Sequence, residues 1–480
     1  MCRLAALITT FCFGSVLSLA QADSTKLSAK VLNQDLQFLN DLLLETHQNP
    51  YFYCTVADYD QAFLNAQKAV ENGLCYADFA LQVATLLRTV QDSHTYLKYA
   101  GLSQYNAKRG GRFLDISIAQ YEGSIFVTSD RFKALERGSK LISINGHSAD
   151  SLFQIVKEFS IREGNSHIGE QRIAEAIFST VLPLLIDIKL SNHIVIEQEA
   201  GQTTTIPYPG LTSKELSKLR KKSKGSPYSL SIEADTAVLR IKSFSAGNDR
   251  PYYRFLYKSF RKLKRQSPDF LIIDVRGNTG GSAERMEALL AYLLESPVAM
   301  PANIIGKQSE LARERHEQTF RGLNKYILTH FFKRNEDVQN YLRLVNLESG
   351  MTDTLYYHDA EDQSKLYFRG SQVILLINGT SGSATVNLAG AFAMHHAGAI
   401  FGEAPLGPKG GTWGNPAEAE LPNSGLKIYV STIRFNSDNS FSNDPTPIQP
   451  DHAVSPTLAD LREGRDAVLE ATLLWLKETK

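Results

Sequence analysis

Asn378-Gly379-Thr380-Ser381-Gly382-Ser383-Ala384 follows an apolar run, Val373-Ile374-Leu375-Leu376-Ile377, and precedes Leu388-Ala389-Gly390-Ala391-Phe392. The apolar run predicts a strand covered on both faces. The small residues after it predict a helix packed closely on the sheet. Ser383 then falls at a strand-to-helix turn, where unpaired N–H groups and the helix dipole favour negative charge. An alkoxide or tetrahedral oxyanion needs that environment. A plain Ser N-cap also occurs there, and the stretch alone does not separate the two. It is not the Gly-x-Ser-x-Gly elbow, because counted from Ser381 the final glycine position holds Ser383.

Outward from this stretch the pattern is α/β. Ala237–Ile241 and Phe270–Asp274 read as strands, and Tyr252–Lys264 and Met286–Leu294 as helices. Strands alternating with helices predict a largely parallel sheet. After the second strand comes Asp274-Val275-Arg276-Gly277-Asn278-Thr279-Gly280-Gly281, where glycines let backbone approach a ligand and N–H groups can form an anion nest. No Gly-Lys-Ser/Thr follows, and the dinucleotide pattern fails as well. Residues 305–366 are long, charged and partly helical, and read as an insertion near the site.

Upstream, Leu27–Leu97 is mostly helical. Val31, Leu36, Leu39, Leu42 and Leu43 recur at helical spacing, as do Phe79, Val83, Leu86, Leu87 and Val90. The second face ends at Asp92-Ser93-His94-Thr95. Residues 112–200 read as strand-rich, with an Asn145-Gly146 hairpin turn. Thr203–Pro207 reads as a polar linker, and the basic run Lys218–Lys224 as a solvated loop.

The chain of 480 residues holds 51 Lys+Arg and 51 Asp+Glu, so no net field collects nucleic acid. Arg3, the apolar run Leu4–Leu19 and Ala20-Gln21-Ala22 read as an export signal peptide over residues 1–22. No later stretch is apolar enough to span a bilayer. Cys2 and Cys12 leave with the leader. Cys54 and Cys75 remain, as one disulfide or as two separate thiols.

Taken together, the three polar segments resemble the C-terminal-processing (tail-specific) and tricorn-core serine proteases. Asp274, Arg276, Asn278, Gly280 and Gly281 match that family's glycine segment. Ser381, Ser383, Ala384, Ala389, Gly390 and Ala391 match its serine segment. Gly402-Glu403 with Gly407, and Pro450-Asp451, match its later landmarks. The resemblance implies a crotonase/ClpP-like α/β core (201–460) behind an N-terminal helical segment (23–105), a PDZ-like module (106–200) and a C-terminal helix (461–480). The PDZ-like match rests on Gly138–His147, and such a module would take a peptide onto a sheet edge.

Of the family's two catalytic types, the Ser-Lys type needs lysine where this chain has Pro408, with Lys409 one place on. The tricorn type uses Ser-His, matched by Ser93 and His94. The resemblance therefore implies Ser383 as nucleophile, His94 as general base, Ser93 and Asp444 behind it, and an oxyanion hole from Ala384 and Gly280 or Gly281. His395 and His396 lie down the nucleophile's own helix and read as structural. Val386 stands where the family has Glu. The expected partner is a peptide or protein substrate, with no cofactor, metal or nucleic acid. The alternative is a weak or inactive member that binds peptides or apolar ligands.

Overall fold

Three amphipathic helices open the described chain: α1 (Ala29–Thr46), α2 (Val56–Ala69) and α3 (Tyr76–Thr89). Leu32, Leu36, Leu39 and Leu43 on α1 bury one stripe, and Phe79, Val83, Leu86 and Leu87 on α3 supply another. The helix α3 ends close to the expected place, and Asp92–Thr95 lies just beyond it. The structure is a computed structural model that describes residues 25–222, 225–245, 247–294, 300–319, 336–357, 366–438 and 442–479. The expected signal peptide lies outside these residues, as does part of the 305–366 segment. Cys54 and Cys75 are separate thiols. The Cys75 sulfur instead accepts the Asp78 N–H at the start of α3.

The next region holds a six-stranded antiparallel sheet and two helices: β1 (Ile116–Tyr121), β2 (Ser124–Asp130), β3 (Lys140–Ile144), α4 (Ala149–Glu158), α5 (His167–Leu185), β4 (Ser191–Glu197) and β5 (Thr203–Pro209), with the two-residue strand His147–Ser148 paired to β3 beside the main path. The strands β1 to β5 lie in chain order across the sheet. The Asn145-Gly146 turn is present, both residues at positive φ. Three readings are corrected. The region is less purely β than its alternation suggested, because α5 runs for 19 residues. Thr203–Pro207 is no linker but part of β5, whose edge position tolerates proline. The basic run is a helix, Ser213–Lys222, as far as it is described. The apolar residues of this region and of α1–α3 form one continuous core.

The α/β part contains β6 (Tyr228–Glu233), β7 (Thr236–Ile241), α6 (Asp249–Gln266), β8 (Phe270–Asp274), α7 (Ala283–Leu290), β9 (Gln372–Ile377), α8 (Ala384–Met394), β10 (Ala399–Gly402), β11 (His452–Ala453) and α9 (Ala467–Glu478). The sheet order is β6-β7-β8-β9-β10-β11, parallel except for β6. The strands β8 and β9 read as unbroken apolar runs because both faces are covered. Leu271 and Ile273 pack with residues of α6, α7 and α8. Phe270 and Ile272 pack with Val468 and Leu476 of α9 on the other side. A second antiparallel sheet joins Thr352–Tyr356, Asn303–Lys307, Ile433–Asn436 and Gly411–Gly414, in that order. Two of its strands come from the 305–366 region and its margin.

Candidate active site

Ser383 stands between β9 and α8 with φ 52° and ψ −124°. That is a costly backbone for a residue with a Cβ, and such strain concentrates at functional sites. Its hydroxyl makes no capping bond, so the plain N-cap explanation does not describe it. The turn is fixed from below. The buried Ser381 hydroxyl donates to Val275 O and accepts the Asn378 N–H. The Gly382 N–H donates to Asn278 O, tying the serine turn to the glycine segment.

Gly280 lies directly against the serine. A Cβ there would stand 2.6 Å from Ser383 Cβ and 3.0 Å from Ala384 N. Its φ of 102° is also one that only glycine holds without strain. Its own N–H, however, donates to Asn278 Oδ1. Among the described residues the N–H groups of Gly281 and Ala384 take no protein acceptor. Of the two candidate glycines, Gly281 therefore keeps a donor available and Gly280 supplies close approach.

His94 is mostly buried, its side chain 17% exposed. Its Nδ1 lies 3.1 Å from Ser93 Oγ, and Ser93 Oγ donates to Glu163 Oε2 at 2.6 Å. With that proton committed to Glu163, Ser93 Oγ accepts from Nδ1–H, which leaves Nε2 as the basic nitrogen. Glu163 is buried and also accepts from Thr412 Oγ1 and Trp413 N. Burial and the neighbouring Asp92 charge push its carboxyl up from 4.5 to about 8, against the pull of its hydrogen bonds. Burial raises Asp92 too, but hydrogen bonds and charge from His47, the His94 ring and Ser431 outweigh it, and Asp92 stays below its ordinary value. Of two close carboxyls, one holds the charge and the other resists it. Burial lowers His94, so its ring favours the neutral form a base requires.

Asp92 sets the ring's position through the chain. Its Oδ1 accepts the His94 N–H, and its Oδ2 accepts Thr95 Oγ1, Ser431 Oγ and His47 Nε2. The Asn49 N–H donates to His47 Nδ1, which fixes the proton on Nε2. Asp92, His94 and Glu163 have ligand atoms close enough to surround an ion. Each already has hydrogen-bonding work, and nothing else about the cluster points to a metal.

Asp444 does not occupy the place expected of it. It is exposed and accepts the Thr446 N–H, which holds its carboxyl below the ordinary range. Glu163 stands behind Ser93 instead. The displacement is small in space. Asn165 N donates to Pro445 O, and a Cβ on Gly164 would meet that same carbonyl at 2.5 Å. Asp444 thus borders the Glu163 loop but turns to solvent. The only hint of Glu163 in the sequence is Gly164 beside it, between two helices that the alternation pattern concealed.

The halves meet through Pro405 and Leu406. Leu406 N donates to Ser381 O, and Ser166 Oγ donates to Pro405 O. The strand Gly411–Gly414, which carries the partners of Glu163, packs against α8. Lys409 is exposed, and its carbonyl lies near Gly390, well along α8 from Ser383. His395 and His396 are exposed at the far end of that helix. Val386 is buried against Gly407.

Residues 235–454 match the family described as Peptidase family S41. The chain carries an S41 peptidase domain. Among solved structures, mature CPAF is 14% identical with a TM-score of 0.59, covering 90% of this chain and 94% of that one. Mature CPAF complexed with lactacystin gives 14%, 0.61, 91% and 95%. The photosystem II D1 C-terminal processing protease gives 13%, 0.44, 92% and 98%. No curated protein matches the chain. The likeness to CPAF extends over the N-terminal helices and the small sheet as well as the S41 domain, and it is a likeness of fold. The family match brings serine-peptidase activity with it.

Proposed function

We propose that the chain is an exported serine peptidase of the Ser-His type. The observation that carries this reading is the buried hydrogen-bond line from His94 Nδ1 through Ser93 to Glu163. In the reaction, His94 Nε2 removes the Ser383 hydroxyl proton as Oγ attacks the peptide carbonyl. The charge that grows on the carbonyl oxygen meets the Gly281 and Ala384 N–H groups and the start of α8. Ionised Glu163, acting through Ser93, stabilises the imidazolium as the acid does in other triads. His94 then protonates the leaving amine, and water releases the acyl group by the same steps in reverse. The exposure of Lys409 speaks against a Ser-Lys dyad, which needs a desolvated amine. Export rests on the leader-like residues 1–22.

The sheet region fits a PDZ-like module only with an occupied edge. Ser179 Oγ donates to Ile116 O, Gln171 Nε2 to Gln120 O, and Gln120 N donates to Glu175. A peptide adding to β1 has to displace these α5 side chains, so the module reads substrate termini only by moving α5. Exchange of Ser383 for Ala tests the central reading. Peptide hydrolysis and fluorophosphonate labelling of the wild type, both lost in the variant, are expected. Undiminished turnover in Ser383→Ala would reject it.

A further inference from the structure

We propose that α6 is a docking face for an anionic lipid bilayer. The helix carries seven Lys or Arg and one acid in 18 residues, in a chain whose charges cancel only when this helix is counted. At about 3.6 residues per turn, Arg250, Arg254, Lys258, Arg261 and Arg265 fall within an arc of about 80° along a line of about 22 Å. Tyr252, Leu256, Phe260 and Leu263 are buried on the opposite side, so the fold aims the cationic stripe straight outward. All five cations are exposed, and among the described residues none of them makes an ion pair or hydrogen bond. Like charges at this spacing repel one another modestly, and an anionic surface would relieve that repulsion.

The occupant follows from shape and flank. A row on one outward helix face presents all five charges to a plane at once, which suits a bilayer surface. Tyr253 and Tyr257 are 40% and 49% exposed along one side of the row. Tyrosine is suited to the boundary between headgroups and acyl chains. The export leader read at residues 1–22 would also bring the chain to a membrane. Attachment of this kind is electrostatic and shallow, since the apolar face of the helix is committed to the core. It uses none of the site residues.

The test is flotation of the full chain with vesicles of phosphatidylcholine alone, or of phosphatidylcholine mixed with phosphatidylglycerol. Binding to the mixed vesicles only, fading as salt shortens the Debye length, is expected. The combined variant Arg254→Glu, Lys258→Glu, Arg261→Glu should bind at least about tenfold more weakly while hydrolysing peptide normally. An equal charge reversal elsewhere, Lys26→Glu, Lys30→Glu, Lys68→Glu, should bind like the wild type. No binding to anionic vesicles, equal binding to neutral ones, or equal loss in both variants would overturn the proposal. So would capture of an oligonucleotide at an ionic strength where vesicles stay free.

Discussion

Ser383 reaches its position through one contiguous stretch of chain, whereas His94 depends, through Ser93, on a carboxylate 70 residues from that serine and on a strand further off still. The Ser383 half is built from local rules. A buried strand, a turn of small residues and a helix start fix Ser383, and Gly280 fits against it. All of it lies within the S41 match. The His94 half has no such grammar. Its histidine, hydroxyl and acid come from a helix end and an interhelical loop, both outside that match. The comparison teaches that the charge-forming turn can be written in adjacent residues, while the groups that hold a base in its tautomer need only converge in space.

The largest expected effect breaks the His94 half at its root. Exchange of His94 for Ala should lower kcat/KM by about 10³-fold or more, with the Ser383 turn intact. Glu163→Gln should cost less, about 10- to 100-fold, because Ser93 keeps a partner that cannot balance the imidazolium. Its pH profile carries more information than its size. A protonated Glu163 would donate to Ser93, turn that hydroxyl toward His94 Nδ1 and leave Nε2 protonated. Wild-type kcat/KM should therefore rise with pH until about 8, the value to which burial and Asp92 push Glu163. Glu163→Gln should lose that step.

Stability should move the opposite way. Glu163 binds a proton more tightly when folded than unfolded, so folding loses stability as pH rises from about 4.5 to about 8. Thermal unfolding midpoints across that window should slope downward in the wild type and flatten in Glu163→Gln. The smallest effect belongs to Asp444→Asn. Its carboxylate is exposed and faces away from Ser93, and kcat/KM should stay within about twofold. A loss rivalling that of Glu163→Gln would return Asp444 to the site and undo the contrast between the halves.

The same contrast explains what could be read from residues alone. The strands β7, β8 and β9, the helices α1, α3 and α6, and the turn at Ser383 each announce themselves by periodicity or by a run of small residues. The 19-residue α5 was hidden because its apolar faces are broad and it interrupts a β pattern. With α5 hidden, the loop before it was also hidden, and Glu163 sits in that loop. The resemblance implies Asp444, and its neighbour Pro445 does touch the Glu163 loop. Position along the chain located the neighbourhood, but only packing decides which carboxyl is buried.

The rate of fluorophosphonate labelling at Ser383 tests the central claim most directly, because it reports the activated nucleophile without substrate binding. The account predicts that His94→Ala slows labelling by about 10³-fold while Lys409→Ala labels at the wild-type rate. Rapid labelling of His94→Ala together with its loss in Lys409→Ala would contradict the account.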